Sequence, residues 1–131
     1  MIVADASAVL ELLLNTPTGA RVGRRLSSPN ETIHAPELLD IEVMQVLRRY
    51  ARNGALGEIR AEEALLDLRD LPIERYGHGA MRERVWQLRH SLTAYDGVYV
   101  ALAEALGAAL VTCDARLSRS HGHGATIELV R

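Results

Sequence analysis

Short hydrophobic runs alternate with longer amphipathic stretches along this chain. The short runs predict five β-strands, at residues 2–4, 32–35, 71–74, 108–112 and 126–130. The strand that ends at Thr112 is the clearest of them. Between them, apolar residues recur every three or four positions, which is the spacing of helices with one buried face. Strands that alternate with helices predict a parallel sheet covered by helices on both faces.

The predicted helices cover residues 8–14, 18–26, 36–52, 58–70, 80–90 and 94–106, and a helical turn follows Asp114. Thr18 has the side chain of a helix cap, and Pro36 is suited to the first position of a helix. Trp86 is expected to lie in the core or at an interface. Because the chain has no repeat, linker or low-complexity segment, residues 1–131 are predicted to form a single domain.

The composition excludes several kinds of chemistry. All 15 residues counted as Lys+Arg are arginine. Without lysine there can be no phosphate-binding-loop lysine and no Schiff base, and a phospho-acceptor receiver domain, which also clusters aspartates, is disfavoured. The formal net charge is −2, so any binding of nucleic acid must use a local basic patch. With no phenylalanine and few other aromatic residues, a base-stacking platform is not expected.

The cysteine count and the first residues bear on where the protein acts. Cys113 is the single cysteine, so no disulfide can form within the chain. The first residues, MIVAD, lack the basic segment and long apolar core of a signal peptide. No apolar run approaches the roughly 20 residues of a membrane span. A cytoplasmic protein without a membrane anchor is therefore expected.

Three aspartates occupy positions where chemistry and helix capping are alternative explanations. Asp5 and Asp114 directly follow predicted strands, and Asp96 lies in the first turn of the helix at residues 94–106. Aspartates at such positions commonly cap helices, and Asp96 would complete a capping arrangement with Thr93. Taken singly, each of the three is explained by capping.

Glu42 is the acid that capping does not explain. It lies on the same helical face as Leu38, Leu39 and Val46, where an unpaired carboxylate would protonate or destabilise the fold. The carboxyl ends of parallel strands line the crevice where open sheets bind ligands, so the three aspartates are expected to meet there. Oxygen ligands without Cys or His favour Mg²⁺ or Mn²⁺, which commonly serve phosphodiester hydrolysis. The sequence therefore predicts an acidic metal site with water as the nucleophile.

Three segments carry a resemblance to a known family, and they read IVADASA, APELLDIEVMQVLRR and LTAYDGVYVALAEALGAALVTCD. In the order and spacing of their acids they resemble PIN domains, and specifically the VapC-type toxins of type II toxin–antitoxin systems. The resemblance implies a small three-layer α/β/α sandwich with a mostly parallel sheet. It also implies an endoribonuclease toxin that depends on Mg²⁺ or Mn²⁺, a homodimer, and a cognate VapB-like antitoxin that blocks the site in a hetero-oligomer.

The family's acids carry over one by one onto Asp5, Glu42, Asp96 and Asp114, and its nearby hydroxyls onto Ser7 and Thr112. The family commonly has asparagine three positions after the glutamate, where this chain has Gln45. This departure puts a contact around the metal ligands in doubt, but not the metal site itself.

Other polar residues have weaker claims. Arg48, Arg49 and Arg52 are candidates for contacts with RNA phosphates, or else a solvated helix end. His121 and His123 flank a glycine in what is predicted to be a flexible loop, since a metal clip would need a third ligand. Two alternative functions remain open at this point: a nuclease that acts on DNA, and a module that binds RNA or a partner without cutting.

Overall fold

The computed structural model describes residues 1–131, and its five strands form one parallel sheet. They are β1 (Ile2–Ala4), β2 (Ile33–Pro36), β3 (Ile73–Tyr76), β4 (Ala109–Thr112) and β5 (Ile127–Leu129). The order across the sheet is β3-β2-β1-β4-β5. The chain adds β2 and β3 on one side of β1 and then crosses to add β4 and β5 on the other. Such a reversal opens a crevice at the carboxyl ends of the two strands where it occurs, here β1 and β4.

Seven α-helices cover the sheet: α1 (Ala6–Leu13), α2 (Pro17–Leu26), α3 (Leu38–Arg52), α4 (Glu58–Asp70), α5 (Arg82–Gln87), α6 (Ala94–Leu106) and α7 (Ala115–Ser118). Alternate residues of the strands face two separate cores. Ile2 and Ala4 pack with α1 to α4, whereas Val3 and Leu110 pack with α6 and α7. This arrangement confirms the three-layer α/β/α sandwich. None of the helices is both long and apolar enough to cross a membrane.

Two helices begin earlier than the sequence pattern predicted. The Asp5 side chain accepts a hydrogen bond from the Ala8 backbone N–H at 3.0 Å, so α1 begins at Ala6 rather than at residue 8. Thr16, not Thr18, caps α2, because its hydroxyl accepts from a backbone N–H of the first turn and Pro17 takes the first helical position. The cap that forms lies three residues before the predicted start of α1 and two residues before that of α2.

The prediction that Pro36 begins a helix is wrong. Pro36 is the last residue of β2 and is paired in register with Tyr76 of β3. The Glu37 backbone N–H still donates to the Tyr76 carbonyl at 2.9 Å, so strand pairing continues past the proline and α3 begins only at Leu38. A proline is tolerated at this strand end because no N–H is required of it there.

The helix predicted at residues 80–90 is shorter and is preceded by a 3₁₀ helix, Gly79–Met81. Its buried neighbours are Met81 and Leu88. Trp86 lies two positions before Leu88, which places it on the opposite side of the segment, and it is 67% exposed. Of the two predicted places for Trp86, this exposure excludes the core, and a place at an interface stays a prediction.

Gly19 is the position where α2 approaches α1 most tightly. A Cβ atom there would lie 2.0 Å from the backbone oxygen of Glu11. Gly19→Ala is therefore expected to lower the free energy of unfolding by about 2–3 kcal/mol, the upper part of the range for overpacked sites. The measurement is urea denaturation of the purified protein.

Gly23→Ala is the matched control, since Gly23 is also in α2 and its nearest neighbour would be the flexible Leu12 side chain at 3.3 Å. There the gain in helix propensity of up to about 1 kcal/mol should offset any crowding. Equal stability of the two variants would contradict a close backbone contact at Gly19.

Candidate active site

Asp5 lies at the carboxyl end of β1, where it caps α1 and reaches across to β4. Its Oδ1 atom accepts hydrogen bonds from the Ser7 hydroxyl at 2.7 Å and from the Ala8 backbone N–H at 3.0 Å. Its Oδ2 atom accepts one from the Thr112 hydroxyl at 2.5 Å. These bonds fix a buried carboxylate in one orientation at the crevice. Capping and a role in the site are therefore compatible for Asp5.

Ser7 and Thr112 tie the ends of β1 and β4 together. Ser7 Oγ accepts from the Cys113 backbone N–H at 2.9 Å and lies 3.2 Å from Thr112 Oγ1. Thr112 Oγ1 also accepts from the Asp114 backbone N–H at 3.0 Å. The two hydroxyls therefore orient the side chain of Asp5 and the backbone that carries Asp114.

Asp96 and Asp114 lie on either side of one guanidinium group. Asp114 caps α7 by accepting from the Arg116 backbone N–H at 2.8 Å. At the start of α6 the N-cap residue is Thr93 and not Asp96, because the Thr93 hydroxyl accepts from the Asp96 backbone N–H at 3.2 Å. The Arg116 Nη2 atom lies 3.3 Å from Asp96 Oδ2 and 3.6 Å from Asp114 Oδ2. A side-chain cation thus bridges the two carboxylates.

Glu42 faces the site from the other side, on α3. It is half-buried, and its Oε1 atom accepts a hydrogen bond from the Tyr99 hydroxyl of α6 at 2.7 Å. Burial and the negative charge of Glu42 raise the pKa of Tyr99, so the phenol stays protonated and keeps donating. This bond joins α3 to α6 and leaves the second oxygen of Glu42 available.

The four acids influence one another electrostatically. Burial is the main cause that raises the pKa of Asp5, Glu42 and Asp96 above their ordinary values. The charge of Asp114 further raises the pKa of Asp5 and of Asp96, and the charges of Asp5 and Asp96 further raise the pKa of Glu42. Such mutual effects arise only between charges that lie near one another. The four predicted acids therefore belong to one acidic site at the switch point of the sheet.

The site suits a hard divalent cation, although its side chains do not form a ready-made ligand cluster. No three Asp, Glu, His or Cys side chains are grouped so that they could hold a metal ion as they stand. Arg116 instead engages Asp96 and Asp114. Its side chain is 72% exposed, so displacing it would cost little. The donors are all oxygens, which is the set that Mg²⁺ and Mn²⁺ prefer.

A cleft of about 600 Å³ opens beside Glu42, and Gln45 and Arg49 line it. Arg49 also lines, together with Arg48 and Arg52, a shallower groove of about 310 Å³ on the exposed side of α3. None of the three arginines forms an ion pair with an acid. Only Arg49 among them shares a cleft with a member of the acidic site.

The Cys113 thiol near the site and the two histidines of the 121–123 loop take no part in the chemistry of the site. Burial, with the charge of Asp5, raises the pKa of Cys113 to about 11, so the thiol stays protonated and is a poor nucleophile. His123 binds within its own loop, with Nε2 2.8 Å from the Ser120 hydroxyl and Nδ1 accepting from the Ala125 backbone N–H at 3.2 Å. His121 and His123 belong to no group of metal ligands.

Two residues of the site were missed by the sequence analysis. Tyr99 gave no signal, because α6 is apolar on nearly every side and the phenol could point anywhere. Arg116 did give a signal, because it follows Asp114 by two positions in the turn that Asp114 caps. This spacing brings the backbone N–H and the side chain of Arg116 close to the Asp114 carboxylate.

Comparison with known proteins agrees with this geometry. A profile of the PIN domain matches residues 2–121. Ribonuclease VapC12 of Mycobacterium tuberculosis is 46% identical over 130 residues, which are 99% of each chain. Ribonuclease VapC9 of the same species is 47% identical over 118 residues, 90% of this chain and 89% of its own.

A solved structure has the same fold at much lower sequence identity. It is VapBC2 from Rickettsia felis bound to a DNA fragment from its promoter, with a TM-score of 0.72, 16% identity and full coverage of both chains. The fold comparison, the domain profile and the full-length relatives confirm the resemblance carried by the three sequence segments. The chain therefore belongs to the PIN-domain family, among the VapC proteins.

Proposed function

We propose that this chain is a VapC-type toxin that hydrolyses phosphodiester bonds of RNA with the help of Mg²⁺ or Mn²⁺. The observation that carries the proposal is the meeting of four acids at the switch point of the sheet, Asp5, Glu42, Asp96 and Asp114. Burial and the neighbouring negative charges raise the pKa of Asp5, Glu42 and Asp96, and a single exposed arginine lies between Asp96 and Asp114. The ribonuclease names of its full-length relatives support the choice of RNA.

The proposed roles follow from how each acid is held. Asp5, Asp96 and Asp114 would bind the metal directly, and Glu42 would bind it or orient a ligand water through its free oxygen. When bound, such an ion lowers the pKa of an attacking water and neutralises charge on the phosphate. Asp5 needs no reorientation, because three hydrogen bonds already fix it.

Positive side chains would hold the RNA around these acids. Arg49 lines the cleft beside Glu42 and is placed to contact a phosphate, and Arg48 and Arg52 extend the positive surface along α3. Once displaced from Asp96 and Asp114, Arg116 would also be free to bind a phosphate. Gln45 lines the same cleft as Arg49, at a position where the family commonly has asparagine. Its amide would contact RNA or a bound water.

A partner protein belongs to the same proposal. A chain of the VapBC2 structure from Rickettsia felis shares this fold. This likeness supports a cognate VapB-like antitoxin that covers the acidic site in a hetero-oligomer. A homodimer, which the family resemblance implies, and a cytoplasmic location remain predictions.

Single-stranded RNA and single-stranded DNA of the same sequence, incubated in parallel with the chain and Mg²⁺, test the choice of substrate. Shortening of the RNA with the DNA left intact is the expected result, since the 2′-hydroxyl allows a protein to tell the two apart. Asp5→Asn protein prepared in the same way controls for a contaminating nuclease. Equal cleavage of both strands would favour the DNA-directed alternative, and cleavage of neither would favour a non-catalytic module.

A further inference from the structure

A second cavity, of about 540 Å³, adjoins the cleft beside Glu42, and its lining includes Trp86 of α5 and Tyr95 of α6. Leu38 and Tyr95 line both cavities, and Tyr95 directly precedes Asp96. This second cavity, here named the aromatic groove, therefore shares part of its wall with the cleft beside Glu42.

The aromatic groove leaves two large rings in solvent. Trp86 is 67% exposed and Tyr95 is 63% exposed. Apolar side chains, among them Val85 and Val98, make up most of the remaining lining. Large aromatic rings gain much free energy from burial, so two of them exposed around one groove are typical of a surface that binds something flat and apolar.

Positive charge borders the same rings. Arg82 lines the groove, and the Arg89 guanidinium lies 4.5 Å from the centre of the Trp86 ring, held by a hydrogen bond of 2.9 Å to the Trp86 carbonyl. Neither arginine forms an ion pair with an acid. His78, which also lines the groove, is held by a hydrogen bond from the Leu38 backbone N–H to its Nε2 atom at 3.0 Å.

We propose that the aromatic groove binds an unpaired base of the RNA substrate beside the bond that is cut. The base would stack on Trp86 and Tyr95, and Arg82 and Arg89 would contact the adjoining phosphates. The proposal rests on the proposed ribonuclease activity. The arginines that form no ion pair, and the wall shared with the cleft beside Glu42, favour a nucleic-acid strand over an apolar protein surface. The few aromatic residues of the chain made a stacking platform unexpected, but two rings suffice when they share a groove.

Trp86 is the only tryptophan of the chain, so its fluorescence reports on this groove alone. The first experiment titrates Asp5→Asn protein, which should leave the strand uncut, with a single-stranded oligoadenylate of six residues. Quenching of the emission is expected with this strand. Little quenching is expected with an abasic ribose-phosphate strand of the same length and charge.

The second experiment measures RNA cleavage by otherwise wild-type protein. Trp86→Ala should raise KM about 5- to 150-fold, the range expected for losing one stacked base, and leave kcat nearly unchanged. Trp86→Phe should recover part of the loss because it keeps a π-face. Ile59→Ala is the matched control, since Ile59 is 75% exposed on α4 and lies outside the groove.

The two experiments separate failure of this proposal from failure of the ribonuclease assignment. Equal quenching by the abasic strand, or an unchanged KM in Trp86→Ala, would overturn base stacking while leaving the nuclease intact. Two results together would instead identify the groove as a contact between copies of the chain. The Trp86 emission would change with protein concentration alone, and the Trp86→Ala variant would lose a subunit contact but cut RNA normally. If the wild-type chain cuts no RNA, base-dependent quenching would still support the groove.

Discussion

Removal of divalent metal with EDTA is expected to slow RNA cleavage by this chain at least about 10³-fold. A bound divalent ion contributes several kcal/mol to stabilising the charged transition state and generates the nucleophile at neutral pH. The structure offers no substitute, because the Cys113 thiol stays protonated and His121 and His123 belong to no group near the acids. Initial rates of cleavage of a labelled oligoribonucleotide measure the effect.

Two controls accompany the chelation experiment. Excess Mg²⁺ or Mn²⁺ should restore the rate, and circular dichroism should be the same with and without EDTA, because two apolar cores stabilise the sheet without a metal. Unchanged cleavage in EDTA would show that the acids act without a metal.

The Asp5→Asn substitution is expected to reduce kcat about 10²- to 10³-fold by removing one charged ligand of the proposed site. The fold should survive, because an asparagine oxygen can accept the bonds from Ser7 and Ala8, and its amide can donate to Thr112 Oγ1. The Thr112 hydroxyl can then turn toward Ser7 Oγ, 3.2 Å away. Asp70→Asn is the matched control, since Asp70 is exposed at the end of α4 and pairs only with Arg69. Full activity of Asp5→Asn would contradict a role as ligand.

The same variant should be more stable than the wild type in metal-free buffer at neutral pH. Burial, and to a lesser degree the charge of Asp114, raise the pKa of Asp5 in the folded protein above its ordinary value of 3.8. At pH values between 3.8 and the raised pKa of folded Asp5, the folded state binds more protons than the unfolded state. The free energy of unfolding of the wild type therefore falls as the pH rises through this window. Asp5→Asn lacks this loss, so its Tm should exceed that of the wild type. An advantage that disappears when Mn²⁺ is added would support metal binding by Asp5.

The sequence predicted the elements of the fold better than their boundaries. All five strands and the longer helices exist and follow the predicted order, since both depend on which residues are buried, although β3 lies two residues later than predicted. The starts of α1, α2 and α3 were misplaced, because each depends on one local contact. Pro36 shows the difficulty, since it is compatible with either a strand end or a helix start, and only its pairing with Tyr76 decides between them.

The acids of the site were predictable, and the contacts between them were not. Asp5 and Asp114 follow strands that are adjacent in a parallel sheet, so their meeting follows from topology. Glu42 stood out as a charge on an apolar face. The Arg116 bridge and the Tyr99 hydrogen bond depend on side-chain directions that no spacing in the sequence encodes. For Trp86, aromatic character alone did not separate a core position from an interface, and its exposure excludes the core.

Crystals soaked with manganese test the central claim most directly, because the anomalous signal locates the ion among the side chains. One Mn²⁺ is expected at about 2–2.3 Å from oxygens of at least two of Asp5, Asp96 and Asp114, with the Arg116 guanidinium moved away from Asp96. Manganese bound elsewhere, with Arg116 still bridging Asp96 and Asp114, would contradict a catalytic metal at this site.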